Sequence, residues 1–178
     1  MIHTTNASLD TFIHEMRAAW GPLTTETVAR TRQLLEDLAR APETEPWLAA
    51  LLRDPPVDHE LYRDPDHGFL LLSHAEQEGR YRIPHDHGRG FVIYAVQHGE
   101  MEMGSYARVL DGDDRARLVR RDTCRVRAGE CRVYLPGDIH DTRCLSNDVL
   151  MLRLTSRDLK IEAREGRLTR YPLEGKAQ

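Results

Sequence analysis

The chain has 178 residues, of which 40% are hydrophobic and 30% are charged, and its formal net charge at pH 7 is −4. This length predicts one domain with a genuine core, and nothing in the composition forces disorder. No apolar run approaches the roughly 20 residues that span a bilayer, and no basic-then-apolar signal region opens the chain, so we expect a cytoplasmic protein without a membrane partner. The three cysteines lack CxxC spacing and fit a reducing compartment.

The first third of the chain is predicted to be helical. Ser8-Leu9-Asp10 is a plausible cap for a helix with apolar residues at helical spacing, and Gly21-Pro22 ends it. Thr24-Thr25-Glu26 opens a second helix, and a short third helix is predicted from Trp47 to Leu52. We expect the apolar stripes of these helices to pack on their own domain.

From His59 onward, short runs rich in Val, Leu, Ile and Tyr alternate with Gly, Asp and Pro, which predicts strands. The candidates are Phe69–His74, Tyr81–His87, Phe91–Gln97, Met101–Val109, Arg115–Arg121, Arg125–Ala128, Cys131–Leu135 and Val149–Thr155. This pattern predicts a mainly β fold, a jelly-roll barrel. We expect residues 59–178 to form the barrel and residues 1–58 to form a helical segment packed on it, as one structural unit. The polar tail Glu162 to Gln178 either wraps the barrel through Leu168 and Tyr171 or frays.

Arginines cluster in and around the predicted strand Arg115–Arg121. A nucleic-acid patch is one interpretation of such a cluster. Acidic residues interleave with it, which favours a solvated strand and turn instead. We therefore expect no nucleic-acid partner.

Three histidines form the candidate metal site. His85 and His87 are two positions apart, so on a strand both side chains would point to the same face. His140 follows a Pro-Gly turn signal and could reach the same point from a distant strand. Such a set is typical of a catalytic metal with positions left open for substrate. Asp86, between two ligands, should face away and form supporting hydrogen bonds.

The spacing of these histidines resembles two motifs of the cupin superfamily. The stretch Gly79–Gly99 contains His85-Asp86-His87 and resembles the first motif, and Gly129–His140 resembles the second. The resemblance implies a cupin double-stranded β-helix with a metal at its centre. Val92 stands where the first motif usually has a Glu, and Cys144 where the second usually has an Asn, so both are candidate pocket residues.

Three neutral ligands without the Glu resemble the thiol dioxygenase branch of cupins, which is cysteine dioxygenase-like. That resemblance implies that Arg63 binds a substrate carboxylate and that the metal is Fe(II), with Zn, Ni, Mn and Cu as alternatives. Where the branch has a Ser-His-Tyr set, this chain reads Met151, Arg153 and Thr155. Arg153 should point into the barrel if its neighbours Leu152 and Leu154 face out, and a thiol with two carboxylates would use both arginines.

Tyr94 lies two positions beyond Val92 and could share its inward face, where its hydroxyl could donate to oxygen or substrate. The resemblance implies a non-heme Fe(II) dioxygenase that oxidises a small carboxylate-bearing thiol to its sulfinate with O2. Two alternatives stay open. The same ligands could serve a non-thiol substrate in a C–C cleaving dioxygenase, isomerase or lyase, or the chain could be a non-enzymatic small-molecule sensor. Pairing through edge strands would give a homodimer.

Overall fold

A computed structural model describes residues 6–110, 112 and 116–172. Three helices come first: α1 (Ala7–Ala19), α2 (Thr25–Ala39) and α3 (Pro46–Arg53). Nine strands follow in the described part of the chain: β1 (His59–Arg63), β2 (Leu70–Glu76), β3 (Tyr81–His85), β4 (Val92–His98), β5 (Glu100–Leu110), β6 (Ala116–Arg127), β7 (Cys131–Tyr134), β8 (Ile139–Cys144) and β9 (Val149–Thr155). A last helix, α4, spans Leu159–Arg164.

The strands form two antiparallel sheets, one in the order β1-β2-β9-β4-β7 and the other in the order β3-β8-β5-β6. From β3 to β5 and from β6 to β9, each connection carries the chain from one sheet to the other, which is the path of a double-stranded β-helix. The predicted fold class, a mainly β jelly-roll barrel with N-terminal helices, is confirmed. Among the described helices, none is both long and apolar enough to span a membrane.

The five-stranded sheet is buried on both faces. On its outer face, Leu71, Ile93 and Leu152 pack against α1, α2 and α3, whose buried side chains include Leu35 and Leu48. Strands covered on both sides read as continuous apolar runs, which is why β2 and β9 were recognisable in the sequence. The apolar stripes of the helices thus pack on this sheet.

The inner face of the same sheet lines the barrel, where Tyr94 and Met151 pack with Met101 and Met103 of the opposite sheet. Side chains alternate between the two faces along a strand. Because Leu152 and Leu154 belong to the outer cluster, Arg153 between them faces the interior, as predicted.

Two strands were missed and two were merged. β8 was not predicted because it buries polar residues, including Asp141 and Thr142, and so shows no apolar alternation. β1 is an edge strand with no fully buried residue. Of the two arginine-bearing strands predicted, the described part forms one strand, β6, which pairs with β5 along its length and is largely exposed. Arg115 lies outside the described residues.

Candidate metal centre

The three predicted histidines converge in the barrel interior. His85 lies directly opposite His140 in the pairing of β3 with β8. Each of the three rings offers one nitrogen, and these nitrogens lie within 4.8 Å of one another. The Nε2 atoms of His87 and His140 are 3.3 Å apart, and both side chains are fully buried. Within the described residues, this group contains histidines alone.

His87 reaches the group by a route that the sequence did not predict. His85 is the last residue of β3, so His87 lies in the loop beyond it and the two are not partners on one strand. The chain turns at Gly88, whose φ of +61° lies in the left-handed region that favours glycine. A Cβ at Gly88 would lie 2.5 Å from Oε2 of Glu162, so this position has no room for a side chain.

The side chain of Asp86 points away from the histidine rings and anchors the loop, which confirms its predicted orientation. Its carboxylate accepts hydrogen bonds from the backbone N–H of Gly88 at 3.0 Å, the backbone N–H of Thr169 at 2.9 Å and the hydroxyl of Tyr171 at 2.9 Å. Its own N–H donates to the Thr169 carbonyl at 3.0 Å. The tail therefore wraps the barrel, up to residue 172; residues 173–178 lie outside the described chain.

Glu162 holds the same loop from α4. Its buried carboxylate accepts the backbone N–H of Arg89 at 3.0 Å and the guanidinium of Arg167 at 2.8 and 2.9 Å. The Arg167 hydrogen bonds lower the pKa of Glu162 to about 2 against the opposing effect of burial, so this carboxylate is ionised at neutral pH. Further along, Arg170 forms a β-bridge with His85. The C-terminal segment, residues 158–171, thus fixes the histidine loop at several points.

The three imidazoles are neutral because they are buried. Burial lowers the pKa of His87 to about 3, and the charges of His85 and Arg153 contribute in the same direction. Burial also lowers the pKa of His140 well below its ordinary value, and that of His85. Nδ1 of His85 donates to the Ile83 carbonyl at 2.9 Å, which fixes the proton there and leaves a lone pair on Nε2. Neutral imidazole is the form that binds metals.

Two tyrosines contact the histidine cluster. The Tyr134 ring stacks on His140, with centroids 3.8 Å apart and planes 21° apart. The Tyr94 hydroxyl lies 3.2 Å from Nε2 of His87. Burial raises the pKa of Tyr94, so the hydroxyl keeps its proton at neutral pH and can donate a hydrogen bond. Tyr134 was not singled out in the sequence, although its pairing with Val92 places it on the same inward face as Tyr94.

A cavity of about 440 Å³ opens beside the cluster and is bounded by His85 and Tyr94. His87 and His140 lie behind these two residues and do not contribute to its wall. The wall is built from both sheets and from the C-terminal segment, which places α4 over one side of the cavity. A volume of this size suits a small molecule.

The wall of the cavity is cationic. The wall contains one carboxylate, that of Asp58. Its basic residues are more numerous: Arg80, Arg82, Arg153, Lys160 and Arg170. Arg82 is neutralised by an ion pair with the buried Glu76. The buried Nε of Arg153 has no hydrogen-bond partner among the described residues. Arg80, Lys160 and Arg170 are exposed, so the preference for an anionic ligand depends on Arg153, because a buried charged donor is costly to leave unpaired.

His74 also lines this cavity, although it lacks the spacing of a metal ligand, and from the sequence alone we would expect such a histidine at the surface or in a turn. That interpretation is wrong, since His74 is only 3% exposed on β2; the apolar run before it was the available signal. Nδ1 of His74 is 3.4 Å from Asp58, yet burial and the charges of Arg153 and Arg82 lower its pKa to about 3, so the ring stays neutral. Neither of its ring nitrogens, nor the hydroxyl of buried Thr142, has a hydrogen-bond partner in the described chain.

The structure does not bring Arg63 to the histidines. Arg63 lies on the exposed edge strand β1, where its guanidinium pairs with Glu60 at 2.7 Å and with Asp158 at 2.9 Å. It does not line the cavity. The resemblance had carried its role across a loop whose course in space the sequence does not specify.

Val92 and Cys144 are both buried in the barrel core next to Tyr94, and neither lines the cavity. Val92 is fully buried. The thiol of Cys144 donates to Oε2 of Glu76 at 3.3 Å, and burial together with Glu76 raises its pKa to about 12. Both residues thus act as core side chains in this arrangement, and all three cysteines are free.

The donor set fits a transition metal ion. Three neutral imidazole nitrogens converge, and the tautomer of His85 is already set for binding through Nε2. Imidazole suits zinc, copper, iron and nickel alike, so the group can bind a metal without selecting which one.

No protein-family model and no curated protein matches this sequence. Among solved structures, the chain is similar to KdgF from Halomonas sp., with 21% identity, a TM-score of 0.45, and coverage of 58% of this chain and 82% of that one. It is similar to the Cnp3 cupin domain of Schizosaccharomyces pombe at 12% identity, with a TM-score of 0.45 and coverage of 61% and 69%. An oxalate oxidase shares 23% identity, with a TM-score of 0.42 and coverage of 60% and 54%. At such identities and TM-scores, these likenesses say nothing about the reaction.

Proposed function

We propose that this chain is a non-heme Fe(II) dioxygenase that oxidises a small carboxylate-bearing thiol to its sulfinate. The observation that carries the proposal is the convergence of His85, His87 and His140, all neutral, beside a cationic cavity. In the net reaction both atoms of O2 are transferred to sulfur, which is oxidised, and at neutral pH the thiol proton is released to solvent.

Iron held by three neutral imidazoles would keep its full 2+ charge, and it would supply the redox chemistry for O2 and the field that favours a deprotonated thiol. The protein holds the three imidazole rings in fixed positions relative to one another. The β3–β8 pairing holds His85 and His140, and the anchored loop holds His87. Zn, Ni and Cu are chemically compatible with the same donors, whereas Mn, the remaining alternative, prefers oxygen ligands.

Arg153 takes the carboxylate-binding role that the resemblance had implied for Arg63. Its guanidinium lines the cavity, and its Nε lacks a partner among the described residues, whereas Arg63 already has two carboxylate partners. A guanidinium binds a carboxylate through two parallel hydrogen bonds, which fixes the orientation of the substrate as well as its charge.

Tyr94 takes the hydrogen-bonding role beside the metal ligands. Its hydroxyl lies 3.2 Å from His87, and its raised pKa keeps it protonated. It can therefore donate a hydrogen bond to an oxygen atom held between the histidines and the cavity. Met151, Ile83 and Leu159 supply the apolar parts of the wall, which limit the access of water.

Oxygen uptake by protein loaded anaerobically with Fe(II) tests the proposal. We would supply cysteine, cysteamine, 3-mercaptopropionate and mercaptosuccinate in turn. We expect uptake matched one-to-one by sulfinate with a carboxylate-bearing thiol, no activity in His140→Ala, and little activity with cysteamine, which has no carboxylate. Arg153→Gln should raise KM, and Arg63→Gln should leave KM unchanged. Full iron occupancy without uptake for any thiol would refute the proposal.

A non-thiol reaction is the second candidate, and the cavity itself is the observation that favours it. Its cations recognise negative charge and not sulfur, so a C–C cleaving dioxygenase, isomerase or lyase acting on a carboxylate fits the same wall. Oxygen uptake with a carboxylate that lacks a thiol would favour the dioxygenase form. A ligand that copurifies and is never turned over would favour a sensor.

A further inference from the structure

The cavity has two cationic centres on different walls, and we infer that it binds a small dianion, such as a short dicarboxylate. Arg153 binds one carboxylate and Arg170 binds the other. The inference rests on the proposed function only in taking this cavity as the substrate site.

The first centre belongs to the five-stranded sheet. Arg153 lies on β9, directly opposite Tyr94 of β4 and Leu72 of β2 in the strand pairings. Its Nε is buried, and no described residue forms a hydrogen bond with it. A buried donor on a charged group is costly to leave unpaired, so this nitrogen is available to a ligand carboxylate in the cavity.

The second centre belongs to the other side of the cavity. Arg170 forms its β-bridge with His85, which is on β3 in the four-stranded sheet. Arg170 lines the cavity as an exposed side chain, and no ion pair joins it to another described residue. Because the two sheets face each other, a ligand beside His85 has one cationic centre on each side.

The charge balance of the wall favours two anionic groups over one. Arg82 is cancelled by Glu76, and Asp58 is the single carboxylate of the wall. One ligand carboxylate would pair with Arg153 and leave the exposed Arg170 in contact with solvent alone. Thr142, which is 2% exposed, also lines the cavity, and its hydroxyl has no hydrogen-bond partner among the described residues, so it can donate to a ligand there. The cavity of about 440 Å³ holds a four-carbon dicarboxylate.

Binding of succinate and butyrate tests this inference, because the two have four carbons each and differ by one carboxylate. Affinities would be measured by calorimetry on the full chain loaded with zinc, a redox-inactive metal, so that binding is measured without any reaction. We expect succinate to bind about tenfold tighter or better, as one charge-assisted pair predicts. Arg170→Gln should bring the two affinities together, and Arg153→Gln should weaken both ligands. Arg157→Gln, an exposed arginine outside the cavity wall, is the matched control and should change neither.

Equal affinities for succinate and butyrate, no binding of either ligand, or a succinate preference that survives Arg170→Gln would each overturn the inference. The proposed function fails by a different result. If no thiol is oxidised but succinate is still preferred, the reaction is wrong and the dianion site stands. If a monocarboxylate thiol is oxidised and succinate has no advantage, the reaction stands and the dianion site is wrong.

Discussion

Replacing Asp86 with alanine should uncouple the histidine loop from the C-terminal segment. The substitution removes the acceptor of three hydrogen bonds, from Gly88, Thr169 and Tyr171. Hydrogen bonds to a charged group contribute about 1.5–3 kcal/mol each, but the tyrosine hydroxyl and the exposed part of the tail can bond to water instead. We therefore expect the free energy of unfolding to fall by about 3 kcal/mol.

Metal affinity should fall as well, because the loop carries His87. Loss of a group that orients a metal ligand typically weakens binding by about 10- to 100-fold. Urea unfolding of the metal-free protein gives the first quantity, and competition with a chelator for zinc gives the second.

Asp64 provides a matched control. It is a buried aspartate that accepts the backbone N–H of Asp66 at 3.0 Å, the backbone N–H of His67 at 2.7 Å and the hydroxyl of Tyr62 at 3.0 Å, with an added ion pair to Arg17. Asp64→Ala should destabilise the protein at least as much and change zinc affinity by less than about twofold, since distant sites act independently. Zinc affinity that falls equally in both variants, or stays unchanged in Asp86→Ala, would refute the reasoning.

Three further predictions concern the loop, the cavity and the helices. Gly88→Ala should cost at least about 1 kcal/mol more in urea unfolding than Gly137→Ala, because both have positive φ but only at Gly88 does the new Cβ meet a buried carboxylate; equal costs would contradict this. His74 has a pKa of about 3 when folded and 6.5 when unfolded, so its contribution is complete above pH 6.5 and is lost as pH falls towards 3. Metal-free protein should therefore lose about 2 kcal/mol at pH 5 through this residue, a loss that His74→Leu should abolish. Leu35→Ala, at a fully buried position between α2 and the sheet, should cost about 2–5 kcal/mol, and circular dichroism and the fluorescence of Trp20 and Trp47 should report one shared transition; two transitions would mean that the helices and barrel unfold separately.

The sequence was sufficient for the barrel and for the three histidines, because both depend on local pattern. Strands buried on both faces are continuous apolar runs, and His85 and His140 occur within spaced motifs. The cavity was harder to predict. Arg153 followed from alternation along β9, but Arg170 reaches His85 only through a tertiary contact of the tail.

Charged and polar residues were the main source of error for a related reason. Arg63 and Arg153 are equally plausible carboxylate ligands in a sequence, and only the fold places one on an outer edge and the other inside the barrel. His74 was missed because it follows the apolar run among the polar residues Ser73 and Glu76, and only the run before it indicated a buried strand. The pattern of apolar residues predicts where a strand lies. Whether a polar side chain on that strand is buried depends on which residues pack against it.

The contact between Asp86 and Tyr171 joins residues separated by 85 positions, and this separation has a consequence for biosynthesis. All three histidines are translated before residues 169–171. Until then, the loop bearing His87 lacks the partners that hold it in place. We therefore expect metal to be acquired after this part of the chain has been synthesised. The docking of residues 169–171 on the loop would then complete the metal centre.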